Sequence, residues 1–339
     1  MQEPIISPVT AISGVKGRAA SEARLRVCYL LSSDGDDLYP EATFIAIALL
    51  RRIYQDVSIT LFIDEITERK VLPRAQPAMN AANEVIRVKA DFPDSSARSR
   101  YMKTSIRLRV NGDFVFLDSD TLVIGACDEL FTGRTPIAAA LDLNSIFPYP
   151  HTPIWIQPIY EHFGWTYPLE HYFNTGVVYW ADLPETRRLA ESWHERWKLI
   201  IRKFGKYHDQ PSFNSAVADS GIAVKVLPTA YNAMVEAHPR FVTGARILHF
   251  FSSKPSMVAN NVTLIGHLLR HHQVTKQIDW PAVEAASENG DAWVGPTESI
   301  RIEWARCNYT RVAKVIGKRC WRYCSAKLAR ATSRHPLTR

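Results

Sequence analysis

Four apolar residues in unbroken succession, Phe114-Val115-Phe116-Leu117, run directly into Asp118-Ser119-Asp120, and no other stretch constrains this chain as much. A run without polar alternation needs cover on both faces, the condition of a strand in a parallel sheet flanked by helices. Side chains alternate along an extended backbone, so two acids one residue apart share a side at the strand's carboxyl end. That end is where open α/β sheets bind ligands. Two close carboxylates repel unless something positive lies between them, and a hard divalent cation is the usual solution. Taken alone, the triplet reads as a solvated turn, since Asp and Ser are turn formers.

The flanking sequence supplies the sheet. Leu25–Leu31 reads as a first strand, followed by a polar turn, Ser32–Pro40, and a helix from about Glu41 to Tyr54. Val57–Ile63 and Val85–Val88 are further strands, and a helix from about Ser99 to Val110 precedes the central run. Strands separated by helical patterns predict a Rossmann-like α/β fold with a mixed, mostly parallel sheet. Strands are expected again at Leu122–Ile124, Ile137–Leu141, Asn174–Trp180, Val224–Pro228 and Ile247–Phe250, with helices over Leu183–Phe204 and Ser212–Asp219. Residues 145–172, rich in Pro, Tyr, Trp and His, show little periodicity and predict a long functional loop. Its rings (Trp155, Tyr160, Trp165, Tyr167, His171) suit either a flat platform for a ligand or a core beneath the loop.

Three segments follow: a flexible polar tail over 1–24, an α/β domain over 25–270 that holds the paired acids, and a basic helical extension over 271–339. The tail has no apolar core of a secretory signal, and no run of eighteen apolar residues predicts a membrane-spanning helix. Five scattered cysteines fit reduced thiols and a cytoplasmic location better than a disulfide framework. The formal net charge of +7 is a C-terminal property: residues 301–339 hold eleven Lys/Arg against Glu303 alone, which leaves the rest slightly acidic. The overall basicity is therefore no argument for nucleic-acid binding. Within that stretch Val312, Val315, Ile316, Cys320 and Tyr323 lie near helical spacing among Arg311, Lys314, Lys318, Arg319 and Arg322. An interfacial helix on the anionic inner face of a membrane and an ordinary helix packed on the domain both remain open.

Polar residues also gather at predicted strand ends and helix starts: Asn174 and Gly176, Asp209 and Gln210, His249, and Lys254 one loop later. Asp209 reads equally as a helix N-cap, and His249 as a satisfied core histidine. Asp, Asp and His suit a cation taking mostly oxygen ligands, Mn²⁺ or Mg²⁺. Lys254 and Lys103 suit phosphate oxygens.

The order of these motifs resembles that of the nucleotide-sugar-dependent glycosyltransferases of the GT-A fold, in particular retaining family 8, the group of glycogenin and the bacterial lipooligosaccharide galactosyltransferases. The motifs are Phe116-Leu117-Asp118-Ser119-Asp120-Thr121, Tyr172-Phe173-Asn174-Thr175-Gly176, Asp209-Gln210-Pro211-Ser212-Phe213-Asn214, Leu227-Pro228 with Tyr231-Asn232, and His249-Phe250 with Lys254-Pro255. They span about residues 25–260. The resemblance implies that Asp118, Asp120 and His249 ligate the metal and that Lys254 contacts the donor diphosphate. It further implies that Tyr39 stacks on the nucleotide base near Ser32 and Ser33. Asn174, Asp209 and Gln210 would line the donor sugar, with Gln210 nearest the anomeric carbon, and Lys103 would contact sugar or phosphate. The loop from His249 to Lys254 is one residue shorter than the family's and lacks its glycine and tryptophan.

The expected activity is transfer of a hexose from a nucleotide-diphosphate sugar, a UDP-sugar by the resemblance, to a saccharide or lipid-linked acceptor, with retention, in lipopolysaccharide or cell-surface glycan synthesis. Two rivals stand beside it. A haloacid-dehalogenase-type phosphatase would use Asp118 as nucleophile, although its motif continues Gly-Thr and here Thr121 follows Asp120 directly. A non-catalytic protein binding nucleic acid or membrane would use the basic tail alone and leave the five motifs idle.

Overall fold

The computed structural model describes residues 25–130, 135–142, 153–235, 242, 244–250, 263–297 and 299–332. Strands β1 (Arg26–Leu31), β2 (Ser58–Asp64), β3 (Glu84–Val88), β4 (Phe114–Leu117), β6 (Ile137–Leu141), β7 (Phe173–Trp180) and β8 (Val224–Leu227) form a seven-stranded sheet. Its order is β3-β2-β1-β4-β7-β6-β8. The first four strands run parallel, β7 is antiparallel to both β4 and β6, and β8 is parallel to β6.

All four residues of β4 are buried, as an uninterrupted apolar run at the sheet centre demands. One face is covered by helices α1 (Tyr39–Ile53) and α2 (Glu65–Ala81) through a core that includes Tyr29, Ile45, Leu61 and Val115. Helices α3 (Ser95–Arg109), α5 (Pro184–Phe204) and α6 (Gln210–Ser220) cover the other through Phe62, Phe114, Phe116, Trp180 and Trp193. The tryptophan four residues beyond Trp193, Trp197, is buried as well. Helix α3 begins one turn earlier than the periodicity predicts, because Asp94 caps it through the amides of Ser96 and Ala97.

A second sheet of three short strands joins β5 (Thr121–Val123), β9 (Ala233–Met234) and β10 (Ile247–His249), in the order β5-β10-β9. β10 runs antiparallel to β5, with His249 opposite Thr121, and parallel to β9. This small sheet carries a residue from far along the chain to the carboxyl end of β4.

The part of the aromatic segment that is described, residues 153–172, is less irregular than expected. It holds a 3₁₀ turn, Ile154–Ile156, and helix α4 (Gln157–Phe163), which Gly164 ends in a left-handed conformation. Tyr160 is fully buried in a small core with Ile156, Tyr172 and Ile200, and Trp165 and Tyr167 pack against it. Core is thus the outcome for most of these rings. Helix α7 (Leu264–Thr275) runs across the boundary expected at 270, and α8 (Trp280–Asn289), α9 (Ile300–Ala305) and α10 (Tyr309–Thr332) follow it. Helix α10 divides its apolar stripe: Val312 and Val315 are buried, whereas Ile316, Cys320, Trp321 and Tyr323 face out. No helix among the described residues is long and apolar enough to cross a membrane, and none of the five cysteines is in a disulfide.

Candidate active site

The ladder between β4 and β7 continues one step past β4, the Asp118 amide donating to the Gly176 carbonyl at 2.8 Å. That bond sets Asp118 beside the Asn174-Thr175-Gly176 segment. On the opposite flank the Phe250 amide donates to the Asp120 carbonyl at 2.9 Å, extending the pairing of β5 with β10. Between them the Ser119 hydroxyl turns inward onto the Leu30 carbonyl, and Thr121 closes the turn by donating its amide and hydroxyl to the Asp118 carbonyl, at 3.0 and 2.7 Å. Backbone pairing on both sides therefore holds the Asp-x-Asp turn rigid.

The carboxylates of Asp118 and Asp120 and the His249 imidazole offer ligand atoms that all lie within 4.8 Å of one another. His249 Nε2 stands 3.4 Å from Asp120 Oδ1 and 4.0 Å from Asp118 Oδ2. Asp120 Oδ1 is buried and has no hydrogen-bond donor among the described residues. An anionic oxygen held that way is costly in a protein interior unless a cation completes it. Two carboxylates and one imidazole, one oxygen lacking any donor, are a donor set that fits a hard divalent ion.

The ring of His249 is oriented from behind. Its Nδ1 lies 2.8 Å from Asn232 Oδ1, Asn232 Nδ2 donates to Asn174 Oδ1 at 3.0 Å, and Asn174 Oδ1 also accepts the Gly176 amide at 2.8 Å. Asn174 Nδ2 reaches Asp142 Oδ1 at 3.5 Å. Gly176 is where it is because the ring passes over it: a Cβ there would lie 2.3 Å from His249 Cε1.

Helix α3 delivers the positive charge. Lys103, 2% exposed, donates to Asp118 Oδ2 at 2.7 Å and lies 3.5 Å from Asp209 Oδ2. Lys103, expected to contact sugar or phosphate, has its ammonium engaged by both carboxylates. One turn earlier Arg100, which is partly exposed, places Nε 2.9 Å from Asp209 Oδ1. Sequence reasoning missed Arg100. Asp209 does stand at the N-cap position of α6, yet its side chain makes no capping bond. It accepts from Thr175 Oγ1 at 2.7 Å as well as from Arg100. The N-cap reading is therefore set aside. Burial pushes the Asp209 carboxyl up, but Lys103, Arg100 and the Thr175 hydroxyl outweigh it and hold the group at about 2.

A carboxylate depressed in the folded state adds stability above its ordinary value and loses it as pH falls through the depressed one. Against Asp209→Asn, the wild-type protein should gain roughly 2 kcal/mol above about pH 4. That gap should close as pH approaches about 2, as urea titrations at stepped pH would measure.

Tyr39 is the first residue of α1 rather than part of the preceding turn. Its half-buried phenol is pushed above its ordinary range by burial and by the nearby charges of Asp120 and Asp118, with Arg100 opposing. Ser32 and Ser33 are buried. The Ser32 hydroxyl is 2.8 Å from Asp64 Oδ2, and that of Ser33 donates to Asp37 Oδ1 at 2.8 Å. Arg98 ties down the same loop through Asp34 Oδ1 at 2.8 Å and the Ser33 carbonyl at 3.0 Å. Gln210 is half-buried, with its amide 3.4 Å from the Phe173 carbonyl. Lys254 lies outside the described residues. Of the aromatic segment, Trp155 alone among those five rings is exposed, at 48%, and it tilts against His208, the neighbour of Asp209, at 4.8 Å.

No family model matches the sequence, and no curated protein does. Solved structures do. An active-site variant of LgtC aligns with a TM-score of 0.52 at 14% identity, over 76% of this chain and 100% of that one. A complex of the galactosyltransferase LgtC with donor and acceptor sugar analogues aligns with a TM-score of 0.48 at 17% identity, over 68% of this chain and 89% of that one. The glycosyltransferase GlyE of Streptococcus pneumoniae TIGR4 gives 0.45 at 18%, over 78% and 63%. At such identities the likeness is one of fold: the chain has the mixed α/β architecture of the GT-A type that its motif order predicts.

Proposed function

We propose that this protein is a metal-dependent glycosyltransferase that moves a hexose from a nucleotide-diphosphate sugar, a UDP-sugar in our reading, to a hydroxyl acceptor. The observation that carries this is Asp120 Oδ1, a buried oxygen without a donor among the described residues, facing His249 Nε2 at the carboxyl edge of a GT-A sheet. Asp118, Asp120 and His249 would hold Mn²⁺ or Mg²⁺, and the ion, when bound, supplies Lewis-acid stabilisation of the departing diphosphate.

The remaining roles belong to the chain. Tyr39 would carry the base, at the mouth of the loop braced by Ser32 and Ser33, and Lys254 would meet the diphosphate. Asn174, Asp209 and Gln210 would line the sugar. Both oxygens of Asp209 are already engaged, by Arg100 on one side and Thr175 with Lys103 on the other, so it is a poor covalent nucleophile. The LgtC structure with the higher TM-score is of an active-site variant in which a glutamine became a glutamate, and in our reading Gln210 is the counterpart here. We favour front-side attack with retention. The acceptor oxygen bonds the anomeric carbon as the diphosphate oxygen leaves the same face, and the hydroxyl proton passes to that oxygen.

The acceptor side of the reading rests on exposure. Trp155 offers a flat ring beside His208, the sequence neighbour of Asp209, for a saccharide. The outer half of α10 presents Trp321, 74% exposed, and Tyr323 within the basic stretch. It suits an anionic membrane surface on the cytoplasmic side, where a lipid-linked acceptor would be met during cell-surface glycan synthesis. Sedimentation with phosphatidylglycerol vesicles but not phosphatidylcholine vesicles is expected, and Trp321→Ala should weaken it. Equal recovery with both vesicle types would remove the membrane contact.

A thermal-shift screen of nucleotide sugars with each ion tests the core claim. A hundredfold excess over Kd should raise the melting temperature by roughly 5 °C for the true donor, and only with Mn²⁺ or Mg²⁺ present. A flat response to every donor would sink the reading.

A further inference from the structure

The chain of amides behind His249 can be assigned from one end. A backbone N–H is always a donor, so the Asn174 atom that meets the Gly176 amide at 2.8 Å is the carbonyl oxygen Oδ1. The same oxygen is 3.0 Å from Asn232, which must therefore turn its Nδ2 toward it. That orientation leaves Asn232 Oδ1 facing His249 Nδ1 at 2.8 Å. An amide oxygen only accepts, so Nδ1 carries a hydrogen, and in the neutral ring the lone pair is on Nε2. Nε2 is the nitrogen that points at Asp118 and Asp120.

Nothing in this relay can rotate freely. Asn232 is fully buried, and Asn174 and His249 are buried as well. The Asn232 amide donates to the Thr229 carbonyl at 3.1 Å, which fixes its backbone where the chain enters β9. β9 is paired with β10, so Asn232 and His249 are braced by the same three-stranded sheet. An unconstrained neutral histidine favours its hydrogen on Nε2, and such a ring would aim an N–H at a cation. The relay reverses that preference.

We propose that Asn232 is a positioning residue for the cation site. Oriented by the Gly176 amide through Asn174, it holds His249 as the Nδ1–H tautomer, with the Nε2 lone pair turned to the ion that Asp118 and Asp120 share. This rests on the reading of those three residues as metal ligands, and it adds a residue that touches neither ion nor substrate. Partners of this kind to ligating histidines typically change metal affinity by about 10- to 100-fold.

Two measurements on the full chain test it. The first needs no metal. Long-range ¹H–¹⁵N spectra of histidine-labelled protein, with the His249 signals identified by their loss in His249→Ala, should show the Nδ1–H tautomer in the wild type. In Asn232→Ala they should shift toward Nε2–H, and in Asn232→Asp, which retains an acceptor for Nδ1, they should not. The second is Mn²⁺ titration followed by electron paramagnetic resonance. Asn232→Ala should weaken binding about 10- to 100-fold, and Asn232→Ala/His249→Ala should bind no worse than His249→Ala alone, because Asn232 acts only through the ring. An Nε2–H tautomer in the wild type, wild-type affinity in Asn232→Ala, or additive losses in the double variant would each overturn the proposal. If the wild type binds no Mn²⁺, the metal reading falls and the tautomer decides the relay by itself. If Asn232→Ala does not fold, the wild-type and Asn232→Asp spectra decide it.

Discussion

Asp118→Asn and Asp120→Asn should both cut metal-dependent sugar transfer steeply, yet only the first should destabilise the metal-free protein. Each removes half of the carboxylate pair, and loss of activity by roughly 10²- to 10³-fold is the scale for deleting one electrostatic partner of a transition state. Their surroundings differ. Asp120 Oδ1 has no donor among the described residues and lies 3.4 Å from His249 Nε2. An amide there exchanges a desolvated anion for an N–H that can donate to the imidazole lone pair, a gain of about 1 kcal/mol or more. Asp118 Oδ2 takes the buried Lys103 ammonium at 2.7 Å. Neutralising Asp118 leaves that ammonium with Asp209 at 3.5 Å as its remaining carboxylate partner among the described residues, and breaking a buried ion pair from one side costs about 3 kcal/mol. Urea unfolding without added metal should therefore rank Asp120→Asn at or above wild type and Asp118→Asn well below it. Equal destabilisation of the two variants would show that the metal-free site is not the one described.

How much of this was legible beforehand depends on the distance over which each feature is determined. The central strand and the acids at its end are local: an apolar run and an alternation rule place them. Helix α2 is also local but obscured, since Pro73 and Pro77 interrupt its pattern and Val71 leaves the helical region. Helix α4 hides in an aromatic stretch whose buried residues serve a separate small core. His249 lies far from the Asp-x-Asp turn in sequence, and only the pairing of β10 with β5 joins them. Periodicity cannot supply that register, and motif order pointed to His249 without it.

Arg100 was illegible for a different reason. Helix α3 carries Arg98, Arg100, Lys103, Arg107 and Arg109, and so charged a helix reads as a solvated face. In the fold Arg98, Lys103 and Arg107 are buried, each against carboxylates or carbonyls supplied by other elements. The signal available in the sequence was Asp209, an acid without an evident partner one residue before Gln210. A buried acid needs a cation, and a cationic helix packed on the same sheet face is where to look for one. Asn232 was visible as part of a motif, but its task is defined by what stands on either side of it in space.

Gly176→Ala should be the most damaging glycine-to-alanine change among the described residues. β7 is buried throughout, and Gly176 is in ordinary extended backbone, so alanine meets no conformational penalty there. The cost is steric. Its Cβ would fall 2.3 Å from His249 Cε1, 2.9 Å from Nδ1 and 3.0 Å from Asn174 Oδ1. The strand is held by the Asp118 amide on the Gly176 carbonyl, so the ring has to give way. Moving it breaks the bond to Asn232 and carries Nε2 off the carboxylates. The expected result is a folded protein destabilised by about 1–3 kcal/mol whose Mn²⁺ affinity falls to that of His249→Ala. The two substitutions should also interact strongly. Once His249→Ala has removed the ring, Gly176→Ala loses its main clash and should cost less than half as much, as a double-mutant cycle in urea would show. A Gly176→Ala penalty of the same size with or without the His249 ring would mean that the glycine serves the strand rather than the site.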